Sequence, residues 1–88
     1  MSPFSSRPDS TPAFARDVFK EALKWGAEAV MVAHNHPSGD PKPSKADIKF
    51  TERLAALAKI AEIRLLDHLV LGDRNYVSIR SLAEVAFD

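Results

Sequence analysis

The distribution of apolar residues predicts an α/β (α+β) domain, a small mixed sheet flanked by helices. Three observations carry this expectation. Residues 12–25 and 45–61 repeat apolar side chains every three to four positions, the period of a helix with one buried face. Residues 29–33 and 63–71 are short runs rich in apolar and branched side chains, as strands are. Gly72-Asp73-Arg74-Asn75 has the composition of a hairpin loop between two strands. At 88 residues the chain holds one small domain, which buries only about 60% of its unfolded surface.

Taken in order, residues 1–12 are rich in Ser and Pro and read as a flexible lead-in, leaving 13–88 as the folded domain. Thr11 is suited to cap the first helix, with Pro12 at its first position, where a missing N–H costs nothing. Phe14, Val18, Ala22 and Trp25 form its apolar face, which places Trp25 in the core. Gly26 ends it. The run Ala-Val-Met-Val-Ala at 29–33 predicts a strand buried on both faces. Residues 34–43 carry three prolines and a glycine and predict a loop, with Gly39 at a turn.

Ser44 has N-cap chemistry, and Asp47 favours the helix dipole from the first turn that follows. Ile48, Leu54, Leu57, Ala58 and Ala61 mark that helix's apolar side. A strand is expected over 63–71 and another over 76–79. Ser81 and Glu84 have capping-box spacing for a last helical turn. Strict alternation puts His68 on one strand face with Leu66 and Val70, as a buried, hydrogen-bonded histidine. Asp67 falls on the other face, solvated or capping a turn.

The stretch that carries chemistry is His-Asn-His-Pro-Ser-Gly-Asp-Pro-Lys-Pro-Ser-Lys-Ala-Asp, residues 34–47. On an extended backbone His34 and His36 point to the same side, a bidentate clamp for a metal. Asp47 adds an oxygen ligand if the proline-rich loop folds its helix back over the strand end. Two imidazoles and a carboxylate leave a fourth tetrahedral position for water, the open kind of zinc site. Ser44 stands where its hydroxyl can meet a developing oxyanion. A lone His-x-His often does no more than end a strand, and a lone Ser44 only caps a helix. The full pattern, H-x-H-P followed after six residues by S-x-x-D, is expected by chance on the order of once in 10⁵ chains of this length.

This pattern resembles the metal-binding motif of the JAMM (MPN) metalloprotease superfamily. With Leu-Leu-Asp-His-Leu-Val-Leu-Gly at 65–72 and Tyr-Val-Ser-Ile-Arg at 76–80, it is similar to the RadC-like branch, bacterial proteins historically called DNA repair proteins. The resemblance spans residues 14–80. It implies a cytidine-deaminase-like fold, truncated at its start, and a single Zn²⁺ held by His34, His36 and Asp47. It also implies Ser44 as the active-site serine and hydrolysis of a peptide or isopeptide bond in a protein substrate. The family's general base is a glutamate on an upstream strand. Asp9, Glu21 and Glu28 do not correspond to it, so catalysis by this chain lacks its proton acceptor. With the upstream strands gone, the 29–33 strand presents an edge that invites self-association.

Composition excludes several other chemistries. Without cysteine there is no disulfide, thiolate site or cysteine nucleophile. Twelve cationic side chains balance twelve anionic ones, so the chain lacks the global field of a nucleic-acid binder. DNA association rests on the family's history alone. Lys42, Lys45, Lys49 and Arg53 near the motif are interspersed with Asp40, Asp47 and Glu52 and read as a solvated face. No apolar run approaches a membrane span or a secretory signal, which makes the cytoplasm the expected location.

Overall fold

The structure, a computed structural model, describes residues 12–87. Its elements follow the expected order: α1 (Pro12–Lys24), β1 (Ala29–Asn35), α2 (Lys45–Ala61), β2 (Arg64–Leu71), β3 (Tyr76–Ser78) and α3 (Ile79–Leu82). The lead-in over 1–11, with the Thr11 cap, lies outside the described residues. The sheet is mixed, in the order β1-β2-β3, with β1 parallel to β2 and β2 antiparallel to β3.

Phe14, Ala15, Val18, Phe19 and Ala22 bury one face of α1, and Phe14 stacks on Phe50 of α2 at 5.7 Å. The helix closes by paired bonds, Gly26 N–H to the Leu23 carbonyl and Ala27 N–H to that of Ala22. Trp25 is not in the core, contrary to its spacing: it is 73% exposed. The α-helix ends at Lys24, and the indole lies past the packed face, donating to Glu21 Oε1 at 3.3 Å.

The strand β1 runs two residues beyond the apolar run, so His34 belongs to the strand rather than the loop. It is not buried on both faces. Val32 is buried, whereas Met31 on the opposite face is 58% exposed. The helix α2 lies over the Val32 side of the sheet, where Phe50 meets the His68 ring edge-on. Among the described residues β1 has β2 as its one neighbour. Alanine, valine and methionine leave the sequence silent on whether a second layer covers the other side.

Strict alternation fails in β2 as well. Val30 pairs with Leu65 and Met31 with Asp67, so Leu66 is an extra residue, a bulge. The extra residue puts Leu65, not Leu66, on the buried face with His68 and Val70. Asp67 faces the other way and caps α3. Its carboxylate accepts from the Ser78 hydroxyl, from Arg80 N–H at 3.1 Å and from His68 N–H at 2.7 Å. The strand β3 accordingly stops at Ser78 rather than at residue 79, and Ser78 is the N-cap of α3. Ser81, expected to be a cap, instead donates its N–H to Ser78.

The β2–β3 turn and the proline-rich loop are locked together. His36 N–H donates to the Leu71 carbonyl at 2.9 Å and Asp73 N–H to that of Gly39 at 2.8 Å. Gly39 has φ +84°, as a turn glycine should. A Cβ at Gly72 would stand 2.6 Å from the Gly39 carbonyl oxygen and 2.7 Å from the Pro41 ring. Gly72→Ala is therefore expected to lower stability by about 1–3 kcal/mol through overpacking. Denaturant midpoints of the two proteins check this, and an unchanged midpoint would show that the loop and turn are not in contact.

Candidate metal centre

Three elements converge on one buried carboxylate. Ser44 caps α2 and forms a reciprocal box with Asp47: Asp47 N–H donates to Ser44 Oγ at 3.1 Å, and Ser44 N–H donates to Asp47 Oδ2 at 2.7 Å. The box fixes the Asp47 side chain over the end of β1, only 2% exposed. From β1, His34 Nδ1 approaches Asp47 Oδ1 to 3.1 Å. From the following turn, His36 Nε2 approaches Oδ2 to 3.0 Å. The two imidazoles meet edge to face at 5.0 Å. One ligand atom of each residue lies within 4.8 Å of the other two, and no other group of three such residues is found among the described residues.

Proton inventory makes this arrangement informative. His36 Nδ1 lies 2.9 Å from the Asp40 carbonyl, which can only accept, so Nδ1 carries hydrogen. In neutral His36 the other nitrogen is then a bare lone pair facing a carboxylate oxygen. That contact is favourable only with positive charge between the two atoms, either a proton on Nε2 or a metal ion. A histidine that ligates a metal usually donates its second ring N–H to a carbonyl or carboxylate, as here. An ion held tetrahedrally at about 2.0–2.1 Å from its donors would space them about 3.3–3.4 Å apart. Each imidazole is within a few tenths of an ångström of that spacing from one Asp47 oxygen, and two nitrogens with one oxygen suit a borderline cation.

Burial by itself pushes the Asp47 carboxyl up. The backbone N–H and side chain of Ser44 outweigh it, with His34 and His36 adding to them, and hold the carboxyl below its ordinary value. Ser44 accepts the cap bond at its hydroxyl oxygen and stands exposed beside the cluster. Lys42, Lys45, Lys49 and Arg53 are all exposed.

Periodicity and motif spacing did not signal Thr51. It is fully buried, with its hydroxyl 2.7 Å from the Asp47 carbonyl and 2.7 Å from His68 Nδ1. The only sign was a polar residue at i+4 from Asp47 in a helix, which ordinarily lies on its surface. His68 is buried and hydrogen-bonded, as expected, and its ring lies nearly parallel to His34 at 6.2 Å.

Comparison with known proteins finds relatives over most of the chain. The family model described as a RadC-like JAB domain matches residues 4–84. The chain is 55% identical over 65 residues to a UPF0758 protein of Carboxydothermus hydrogenoformans, covering 74% of this chain and 29% of that protein. It is 50% identical over 72 residues to one from Halalkalibacterium halodurans, covering 82% and 31%. A relative from Enterococcus faecalis is 47% identical over 68 residues, covering 77% and 29%. The chain thus spans under a third of the length of these curated relatives. Among the described residues no helix is long and apolar enough to cross a membrane.

Two outcomes follow for the metal-free protein. Ser44→Ala removes the side-chain half of the box and should cost about 1 kcal/mol in a denaturant titration; no loss would mean that the cap does not stabilise α2. Burial, opposed in part by the nearby Asp47 carboxylate, lowers His68 from 6.5 to about 4. The unfolded chain therefore takes up that proton first, and stability, full above pH 6.5, erodes as pH falls toward 4, by roughly 3 kcal/mol. Replacing His68 with Phe should flatten that slope in urea midpoints measured with chelator, and an unaltered slope would assign the erosion elsewhere.

Proposed function

The chain belongs to the RadC-like JAB domain family, and from that premise we propose that it binds one Zn²⁺ through His34, His36 and Asp47 as part of a peptide- or isopeptide-hydrolysing site. One observation carries the reading. His36, with a proton held on Nδ1 by the Asp40 carbonyl, turns Nε2 to the Asp47 carboxylate, an arrangement that a metal ion completes in place of a second ring proton. Two imidazoles and a carboxylate are a donor set that zinc takes in open, catalytic sites. When bound, the ion would supply Lewis-acid activation of water and of a substrate carbonyl.

The chain's own residues have distinct tasks in this reading. Asp47 is held rigidly by the Ser44 box, so the donor atoms do not have to be ordered on binding. The Ser44 O–H, turned from Asp47, would donate to the oxygen of a carbonyl under attack, a hydrogen bond that strengthens as charge develops. Among the described residues no glutamate joins the His34–His36–Asp47 group. In this reading the described residues supply the metal ligands and not the base that accepts a proton from the attacking water.

Titration with Zn²⁺ should show one-to-one binding to the wild-type chain, and His34→Ala or His36→Ala should abolish it. Peptide and isopeptide hydrolysis by the zinc-loaded chain should fall about 10²–10⁴-fold below that of a full-length relative, the usual contribution of a general base. Failure to bind zinc would overturn the metal reading. Rapid turnover by the chain itself would overturn the claim that the base is missing.

A further inference from the structure

The buried pair Thr51 and His68 adjoins the proposed metal centre through the main-chain carbonyl of Asp47, and its protons can be assigned from geometry. Thr51 Oγ is 2.7 Å from both the Asp47 carbonyl and His68 Nδ1. A threonine hydroxyl has one hydrogen to give, and a carbonyl has none. The hydrogen must go to the Asp47 carbonyl, because otherwise two acceptors would face each other at that distance. His68 must then donate from Nδ1 to Thr51 Oγ. This leaves Nε2 without hydrogen, fully buried and with no hydrogen-bond partner among the described residues.

A buried acceptor left bare is costly, and an apolar side chain of similar size would avoid that cost. What the imidazole alone provides here is the Nδ1–H that orients Thr51. The same ring lies nearly parallel to His34 at 6.2 Å and edge-on to Phe50 at 5.8 Å. His68 therefore bears on two members of the cluster at once: on Asp47 through a relay of two hydrogen bonds, and on His34 through ring contact.

We propose that His68 and Thr51 are positioning residues for the metal centre, a relay that sets the placement of Asp47 through its main-chain carbonyl while His68 backs the His34 ring. The inference rests on the metal reading above. Neither residue touches the ion. Outer hydrogen bonds of this kind typically change metal affinity by about 10–100-fold when removed.

The test uses Zn²⁺ and Co²⁺ with the full 88-residue chain, reading zinc affinity by competition with a chromophoric chelator and the visible spectrum of bound cobalt. Two matched pairs isolate the relay. Thr51→Ser keeps the hydroxyl and Thr51→Val deletes it at equal size. His68→Asn keeps an N–H donor near the Nδ1 position, whereas the isosteric His68→Leu has none. Thr51→Val and His68→Leu are expected to bind zinc about 10–100-fold more weakly than their partners and to give altered cobalt spectra. His68→Leu should do so while at least as stable as His68→Asn, a separation that a purely structural role would not produce. If Thr51→Val does not fold, the His68 pair decides. Equal affinity and spectrum within the folded pairs would overturn the relay and leave the metal reading intact. A wild-type chain that binds neither ion would overturn both, and the first titration reveals which has failed.

Discussion

The organisation of this small domain depends on the Asp47 carboxylate. A carboxylate 2% exposed is unfavourable unless its lone pairs are matched. Here the first turn of its own helix matches one side, and two imidazoles delivered from a strand end eleven and thirteen residues earlier face the other, where positive charge completes the match. One side chain thereby fixes where α2 begins and which way the strand end faces. It also determines how the intervening loop must fold. The prolines of that loop limit its freedom before folding, which reduces the entropy lost in reaching the closed arrangement.

Much of this was legible in the sequence because it is local. Pro12, Ser44 and Gly26 punctuate helices through backbone chemistry that acts within a few residues, and the element order followed from them. The facing of His34 and His36 needed only the period of a strand, and Ser44 with Asp47 only that of a helix turn. The features that were not legible depend on what lies across space. The Leu66 bulge is set by the pairing partner and has no signature of its own in a run of leucines. The exposed face of β1 depends on which layers are present, and Ala-Val-Met-Val-Ala reads the same with one layer or two. Trp25 misled because its spacing is right but its helix ends one residue too soon.

The supporting shell was illegible for a different reason. Thr51 and His68 lie seventeen residues apart in the chain and on different elements, and neither belongs to the metal-binding motif. Thr51 stands one helical turn beyond Asp47, and a buried polar side chain there must answer to a partner. Support of this kind becomes visible once protons are assigned atom by atom.

The bulge at Leu66 has a consequence for how the chain tolerates change in length. Because it inserts half a strand period, it inverts the facing of everything downstream of it relative to Leu65. Deleting Leu66 would leave Leu65, Asp67 and His68 in unbroken alternation opposite Val30, Met31 and Val32, with the imidazole still inward and Asp67 still outward. The cap of α3 and the backing of the His34 ring would both survive the loss. Replacement of Leu66 by another apolar residue likewise alters almost nothing, since that side chain is 41% exposed. At this one position the strand can shed a residue without changing any facing downstream, whereas a deletion on either side of it would.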